Sequence, residues 1–356
     1  MPKISVIIPV YNTERYLPAC LTSILGQSER DLEILAVNNG CTDRSPKILE
    51  EYSCRDKRIK VITIEHGEVC TARNAAISVA RGDFLAFCDS DDTVPPDAYA
   101  LLLHKASRQK CDVVVGAHYN MRDDGETEWV PVPLTARDST FQLLLSTPCV
   151  WNKLIRRTFL ETHQLSFPNL IMGEDVIFLI LLLKCSPKTA VLKKPVYCYW
   201  HHTEDNQPSM THRYTLSFFR LHLLCREQLL RELADTAYQR ESEEYVYCGM
   251  CEFLRVFLFR IWDGDERREA FELFRKHMFQ YCWEGQESRF EQLIGIMPGV
   301  FRNISAEGYI SQAVDFSHRD KVLQEYRAGQ IGFRYILRYI QAWIEFKIKC
   351  MKGKMQ

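Results

Sequence analysis

Phe84-Leu85-Ala86-Phe87-Cys88-Asp89-Ser90-Asp91-Asp92 is an apolar run that breaks off into three carboxylates within four residues. A short apolar run without polar alternation is the pattern of a strand buried on both faces. Toward the N-terminus three similar runs precede it: Lys3–Val10, which ends at Tyr11-Asn12, Leu32–Val37, which ends at Asn38-Asn39-Gly40, and Ile59–Ile64. Segments of helical periodicity lie between them. The first places Tyr16, Leu17, Cys20, Leu21, Ile24 and Leu25 on one face, with Thr13 as its candidate cap. Ser45–Tyr52 and Thr71–Ala80 follow, the latter stopped at Gly82. The order β-α-β-α-β-α-β over about 90 residues predicts an α/β fold, a mainly parallel sheet with helices on both faces. Ligands of such sheets bind beyond the carboxyl ends of the strands. Tyr11-Asn12, Asn38-Asn39 and Asp89–Asp92 all fall there.

Toward the C-terminus, Pro95-Pro96-Asp97 opens another helix, and Asp112–Met121 and Glu128–Val132 read as strands around the turn Asp123-Asp124-Gly125. From about Arg213 onward only helical periodicity remains, in Leu216–Leu233, Tyr245–Trp262 and Glu266–Tyr281. The expected division is therefore an α/β domain over residues 1–212 and an α-helical region over 213–356. Within the latter, about 331–352 reads as a basic amphipathic helix. Phe333, Ile336, Leu337, Ile340, Ile344, Ile348 and Met351 recur at helical spacing, and Arg334, Arg338, Lys347, Lys349, Lys352 and Lys354 supply nearly all its charge. Such a helix suits an anionic membrane surface; docking on its own domain is the plain alternative.

A net charge of -1 on 356 residues provides no global basic field, which argues against nucleic acid as a partner. No apolar run reaches the ~18 residues of a membrane span; the longest, Val176–Leu183, is far shorter. The opening residues lack a signal-peptide layout. The 14 cysteines are scattered through apolar segments and read as reduced core thiols of a cytoplasmic chain. Cys248-Gly249-Met250-Cys251 lacks the second ligand pair that a zinc site needs.

Three adjacent carboxylates repel one another unless a cation or a proton sits among them. Mg2+ and Mn2+ prefer oxygen ligands and share their shells with phosphates. The plain reading of the loop is a solvated turn or a helix N-cap. Asp89-Ser90-Asp91-Asp92-Thr93 also fits the Asp-x-Asp-x-Thr motif of haloacid-dehalogenase-like phosphatases, in which Asp89 would be the phosphoryl nucleophile. That motif follows the first strand of its fold, whereas this loop follows the fourth.

The wider sequence resembles the opening of family 2 glycosyltransferases. The resemblance is carried, in order over roughly residues 3–107, by Ile4–Thr13, Tyr16-Leu17, Ser23–Leu25, Gln27, Glu33-Ile34, Asn39-Gly40-Cys41-Thr42-Asp43, Ala72-Arg73-Asn74-Ala75 and Phe87–Asp92. Val150-Trp151-Asn152-Lys153-Leu154, Gly173-Glu174-Asp175 and Tyr197-Cys198-Tyr199 extend it to about residue 212. It implies the GT-A fold and inverting transfer from a nucleotide-sugar, expected to be a UDP-sugar, to a saccharide or lipid-linked saccharide. The setting implied is surface polysaccharide or glycolipid assembly, by a cytoplasmic protein peripheral at the inner face of the membrane.

The same resemblance assigns roles. Asp91 would hold Mn2+ or Mg2+ on the donor diphosphate, and Asp89 would contact the donor ribose or the metal shell. Pro9, Tyr11, Asn38 and Asn39 would frame the nucleobase, with Ser90 beside the donor. Arg73 would pair with a donor phosphate or an acidic-loop carboxylate. Asp175 would be the general base and Glu174 the second candidate; periodicity alone makes this pair a helix cap. Trp151 would offer an apolar plate to the acceptor sugar, Lys153 would reach a phosphate, and His201 or His202 would close over the donor or complete the metal shell. Ordinary packing for Trp151 and a solvated Lys153 are the bland alternatives.

One departure stands out. The family usually carries at least one aspartate where this chain has Asn38 and Asn39. An Asn carbonyl can still accept from the uracil N–H, without the charge-assisted part. A nucleotide-binding relative that transfers nothing therefore stays open.

Overall fold

The computed structural model describes residues 2–123, 125–132, 139–202, 215–246 and 264–280, together with Asn303 and Ser305. Two compact units divide the chain: Met1–Pro208 with Arg231–Tyr238, and Ser209–Leu230 with Gln239–Gln356.

The first unit is built on an eight-stranded mixed sheet. Its N-terminal part alternates as expected: β1 (Ile4–Val10), α1 (Leu17–Leu25), β2 (Leu32–Asn39), α2 (Ser45–Arg55), β3 (Ile59–Ile64), α3 (Val69–Ile77), β4 (Phe84–Phe87) and α4 (Ala98–Gln109). β1 is buried along its whole length, flanked by two parallel neighbours. Ile4 lies against Leu32 on one side and Phe84 on the other. Ile4, Val6, Ile8 and Val10 alternate onto one face, where they join a core with Leu17, Cys20, Leu21 and Ile24 of α1. Each such side chain contributes roughly 1.5–3 kcal/mol on burial. α1 starts without a side-chain cap. Thr13, the expected cap, instead accepts the Tyr16 and Leu17 amides on its carbonyl and turns its hydroxyl to Ser90.

Beyond β4 the sheet changes direction. β5 (Val113–Arg122) and β6 (Thr127–Val130) form the expected hairpin. Two further strands carry no clear strand pattern in their own sequence. β7 (Lys153–Arg156) inserts antiparallel between β4 and β5, and β8 (Thr189–His201) runs parallel to β5 along its other edge. β8 carries Lys193-Lys194-Pro195, which breaks its apolar pattern, and its register with β5 shifts around Gly116 and Ala117. A Cβ at Gly116 would lie 2.4 Å from a Val196 methyl, so only glycine lets the strands approach this closely. The first unit also holds α5 (Thr140–Leu145), α6 (Arg157–Thr162) and α7 (Glu174–Lys184). The apolar run Val176–Leu183 is the body of α7, and most of it is buried.

Helices Leu216–Leu233 and Gly264–Gln280 follow the periodicity expected of the C-terminal region. Most of Tyr245–Trp262, the Cys248–Cys251 pair and the basic segment 331–352 lie outside the described residues. Among the described residues no helix is long and apolar enough to cross a membrane. The described cysteines are reduced; Cys20, Cys70, Cys88, Cys111 and Cys225 are buried as expected, whereas Cys54 is exposed.

Candidate active site

β1, β2, β3 and β4 run in the same direction, so their carboxyl ends open on one rim of the sheet. Asn12 leaves β1 with a left-handed φ of 51°, a conformation that asparagine tolerates better than most residues. Its side chain then grips the next loop: Oδ1 accepts the Thr42 amide at 2.8 Å, and Nδ2 donates to the Thr42 hydroxyl. Ser45 Oγ accepts the Thr13 amide, and Thr13 Oγ1 donates to Ser90 Oγ at 2.9 Å. Asp43 accepts the Ser45 amide at 2.9 Å and the Ser45 hydroxyl at 3.0 Å just before α2, whose N-cap position is Arg44. Three strand-end loops are thereby tied together around Ser90.

The asparagine pair divides in function. Asn39 is buried, and both ends of its amide are spent on Gly67: Nδ2 donates to the carbonyl at 2.7 Å, and Oδ1 accepts the amide at 2.9 Å. It is thus a brace between β2 and the loop after β3, with no free edge for a base. Asn38, half-buried, accepts the Cys41 amide on Oδ1. The brace delivers His66, whose ring stacks on the exposed Tyr11 at 4.4 Å. His66 was not read from the sequence. Gly40, at φ 67°, sits so close that a Cβ would lie 2.7 Å from that of His66. Pro9 is buried in the strand behind this shelf.

The three carboxylates of the acidic loop have separate fates. Asp92 is 1% exposed and fully engaged by β8, accepting the Tyr197 hydroxyl at 2.8 Å and the Trp200 amide at 2.7 Å. Burial, together with Asp91 and Asp89, holds its carboxyl well above the usual range. The Tyr197 hydroxyl also accepts the Asp89 amide. Neither Asp92 nor Thr93 caps α4, which begins after Asp97. Asp89 extends to Arg73, and the half-buried Asp91 has its carbonyl 3.2 Å from His202 Nε2.

Arg73 is the centre of the site. It lies on α3, 3% exposed, over the face of Phe167. Nη1 bonds Asp175 at 2.5 Å and Glu174 at 3.1 Å, while Nη2 bonds Asp89 at 3.2 Å. Glu174 and Asp175 open α7, but their carboxylates turn to the guanidinium, and no side chain caps that helix. The second oxygen of Asp175 accepts the Val150 amide at 3.3 Å. Burial raises both carboxyls, with Arg73 pulling each back; that of Glu174 is pushed up to about 7, the adjacent Asp175 adding to burial.

A carboxyl whose folded value is raised binds its proton more tightly in the native than in the unfolded chain. Stability from this source is complete below the ordinary value of 4.5 and is lost as pH rises through about 7. The contribution of Glu174 to the melting temperature of the ligand-free chain is therefore expected to fall between about pH 5 and pH 8. Glu174→Gln should flatten that fall; an unchanged slope in a melting series would sink the assignment.

The expected acceptor residues lie elsewhere than on an open wall. Trp151 is 8% exposed, its ring stacked on Tyr197 at 4.4 Å and parallel to Tyr199 at 5.8 Å, so it packs rather than offering a free plate. Lys153 is fully buried, its ammonium on three protein oxygens instead of extended toward a phosphate. His201 stands edge-on to Tyr199, and His202, stacked on Tyr16 at 3.8 Å, is the histidine that reaches the acidic loop. Tyr197 and Tyr199 both lie against the Trp151 ring. Their spacing of two along a strand was the available signal for a shared face, and the Lys-Lys-Pro break hid the strand.

Among the described residues no three or more His, Cys, Asp or Glu are grouped to hold a metal unaided. Asp89 and Asp91 are oxygen donors of the kind a hard cation takes, so a cation on this pair would need other ligands to complete its shell. Mg2+ and Mn2+ commonly take only one or two carboxylates and fill the shell with phosphate and water.

Residues 5–163 match the family described as Glycosyl transferase family 2. EpsH of Bacillus subtilis (strain 168) is 34% identical over 228 residues, covering 61% of this chain and 65% of that protein. Glycosyltransferase GlyA of Streptococcus pneumoniae serotype 4 is 30% identical over 267 residues, covering 70% of this chain and 37% of that protein. The chain thus spans less than two thirds of the length of either relative. Among solved structures, residues 1–349 of S. aureus TarS, in complex with UDP-GlcNAc, superpose with a TM-score of 0.64 over 92% of both chains at 20% identity, a likeness of fold. With the mixed sheet, the rim of strand-end loops and the family match together, residues 5–163 form a family 2 glycosyltransferase domain, on the GT-A fold.

Proposed function

We propose that the protein is an inverting glycosyltransferase that moves a sugar from a nucleotide-sugar, a UDP-sugar, to a hydroxyl of a saccharide or lipid-linked saccharide. One observation carries this reading: a single guanidinium, Arg73, bonds both the acidic loop through Asp89 and the paired carboxylates of α7 through Asp175. A diphosphate leaving from the loop and a base approaching the acceptor hydroxyl would then sit on either side of one fixed cation. Asp91 and Asp89 are the residues that would hold Mn2+ or Mg2+, which screens the charge developing on the diphosphate. Asp175 takes the acceptor proton, and Glu174 is its alternate. Tyr11 and His66 provide the stacking surface for the nucleobase, with Asn38 as the amide available to its edge. UDP-GlcNAc in the TarS complex supports uridine as the base.

Thermal shift with UDP, GDP, CDP and dTDP, each with and without Mn2+, tests the donor side. UDP with Mn2+ is expected to raise the melting temperature most. No shift with any diphosphate would remove the donor reading. A shift by UDP without sugar release from any UDP-sugar would mark a binding protein instead.

A further inference from the structure

Lys153 is completely buried, yet its partners are all neutral: Nζ donates to the carbonyls of Thr147 and Cys149, each at 2.7 Å, and to Asn152 Oδ1 at 2.9 Å. An ammonium has three protons, and all three are used. Burying a charge against neutral oxygens is expensive, and a methionine of similar length would fill the space without that cost. The position of these contacts matters more than their number. The Cys149 carbonyl and the Val150 N–H belong to one planar peptide group. Lys153 Nζ holds the oxygen end of that peptide, and the nitrogen end donates to Asp175 Oδ2 at 3.3 Å. A cation on the carbonyl polarises the peptide and strengthens the bond its N–H makes beyond.

The same turn is closed from the other side, where the Lys153 amide donates to the Val150 carbonyl at 3.1 Å. Asn152, also completely buried, locks the segment to β5 by donating to the Gly116 carbonyl and accepting the Gly116 amide, both at 2.9 Å. Arg73 takes Asp175 Oδ1. The carboxylate is thus held at both oxygens, by a guanidinium on one side and a lysine-backed peptide on the other.

We infer that Lys153 is a positioning residue for glycosyl transfer, acting through the Cys149–Val150 peptide to orient the carboxylate of Asp175 toward the acceptor hydroxyl. The inference rests on Asp175 being the base. Its charge also reaches that carboxyl directly, since the two side chains influence each other's ionisation.

The test uses the full chain, Mn2+ and whichever UDP-sugar the parent turns over, with UDP release as the readout. Lys153→Met is expected to lower kcat by roughly 10²-fold, the scale of a sub-ångström to 1 Å misplacement, with donor KM and UDP affinity within about twofold. Lys153→Gln, which keeps two donors, should lie between Met and parent and carries the test if the Met variant fails to melt cooperatively. Parental kcat in a folded variant overturns the inference. So does a loss of UDP affinity in step with kcat, which would mark general damage. Asp175→Asn separates the two levels. Retained turnover there removes the base assignment and this inference with it, whereas lost turnover beside an active Lys153→Met removes the inference alone.

Discussion

Asp175→Asn is expected to lower sugar transfer by about 10²–10⁴-fold, the usual contribution of a positioned general base. The substitution preserves shape, and the Asn side-chain oxygen can still accept from Val150 or Arg73, the two bonds that now orient the carboxylate. What disappears is the ability to take a proton. Donor binding should survive, because none of the residues framing the nucleobase shelf, Tyr11, His66 and Asn38, bonds to Asp175. Removing one negative charge beside Arg73 should, if anything, favour a diphosphate. The measurement is UDP release under single-turnover conditions beside calorimetry of UDP with Mn2+. Turnover retained in Asp175→Asn but lost in Glu174→Gln would move the base to the adjacent carboxylate, which shares Arg73 Nη1.

Arg73→Met should produce the largest loss of stability of any single substitution in this site. The guanidinium is buried and pairs with Asp89, Glu174 and Asp175; the last two are mostly buried themselves. Breaking a buried ion pair by removing one partner typically costs about 3–5 kcal/mol, because the other charge remains without compensation. The sign of the pH dependence follows. Without Arg73 the carboxyls of α7 rise further, so the native chain holds protons that the unfolded chain releases. Their protonation relieves the repulsion at low pH, and the deficit grows as pH rises through and beyond about 7, the value Glu174 already approaches with Arg73 present. Urea denaturation at about pH 5 and pH 8 should show a smaller deficit at the lower pH. An equal deficit at both would mean that the carboxyls are not the cause. Arg73→Lys is not expected to rescue, since one ammonium cannot reproduce a planar fork that spans α7 and the acidic loop.

The sequence was most legible where one local pattern sufficed. Apolar runs such as Ile4–Val10 are buried on both faces and need no partner to be recognised, and strand direction then follows from the helices between them. The acidic loop was visible for the same reason, at the end of such a run. β7 and β8 were not legible: Lys153–Arg156 is four residues beginning with a lysine, and β8 contains Lys193-Lys194-Pro195. Both are strands because of the neighbours they pair with, not because of their own pattern. Residue types also misled. A lysine suggested solvent and a tryptophan an open plate, but burial turned both inward, and two asparagines that read alike were separated by a single backbone partner, Gly67.

By itself the sequence determined the alternating β-α order, the rim where the loops gather, and the identity of the charged groups available there, because these depend on periodicity and on residues close in the chain. Only the tertiary structure decided which charges meet. Arg73 joins Asp89, sixteen positions away, to Asp175, 102 positions away, and Asp92 is tied to β8 through Tyr197, 105 positions away. The energy of a buried charge depends on what is packed within a few ångströms of it. That quantity belongs to the fold and is set by no local stretch of sequence.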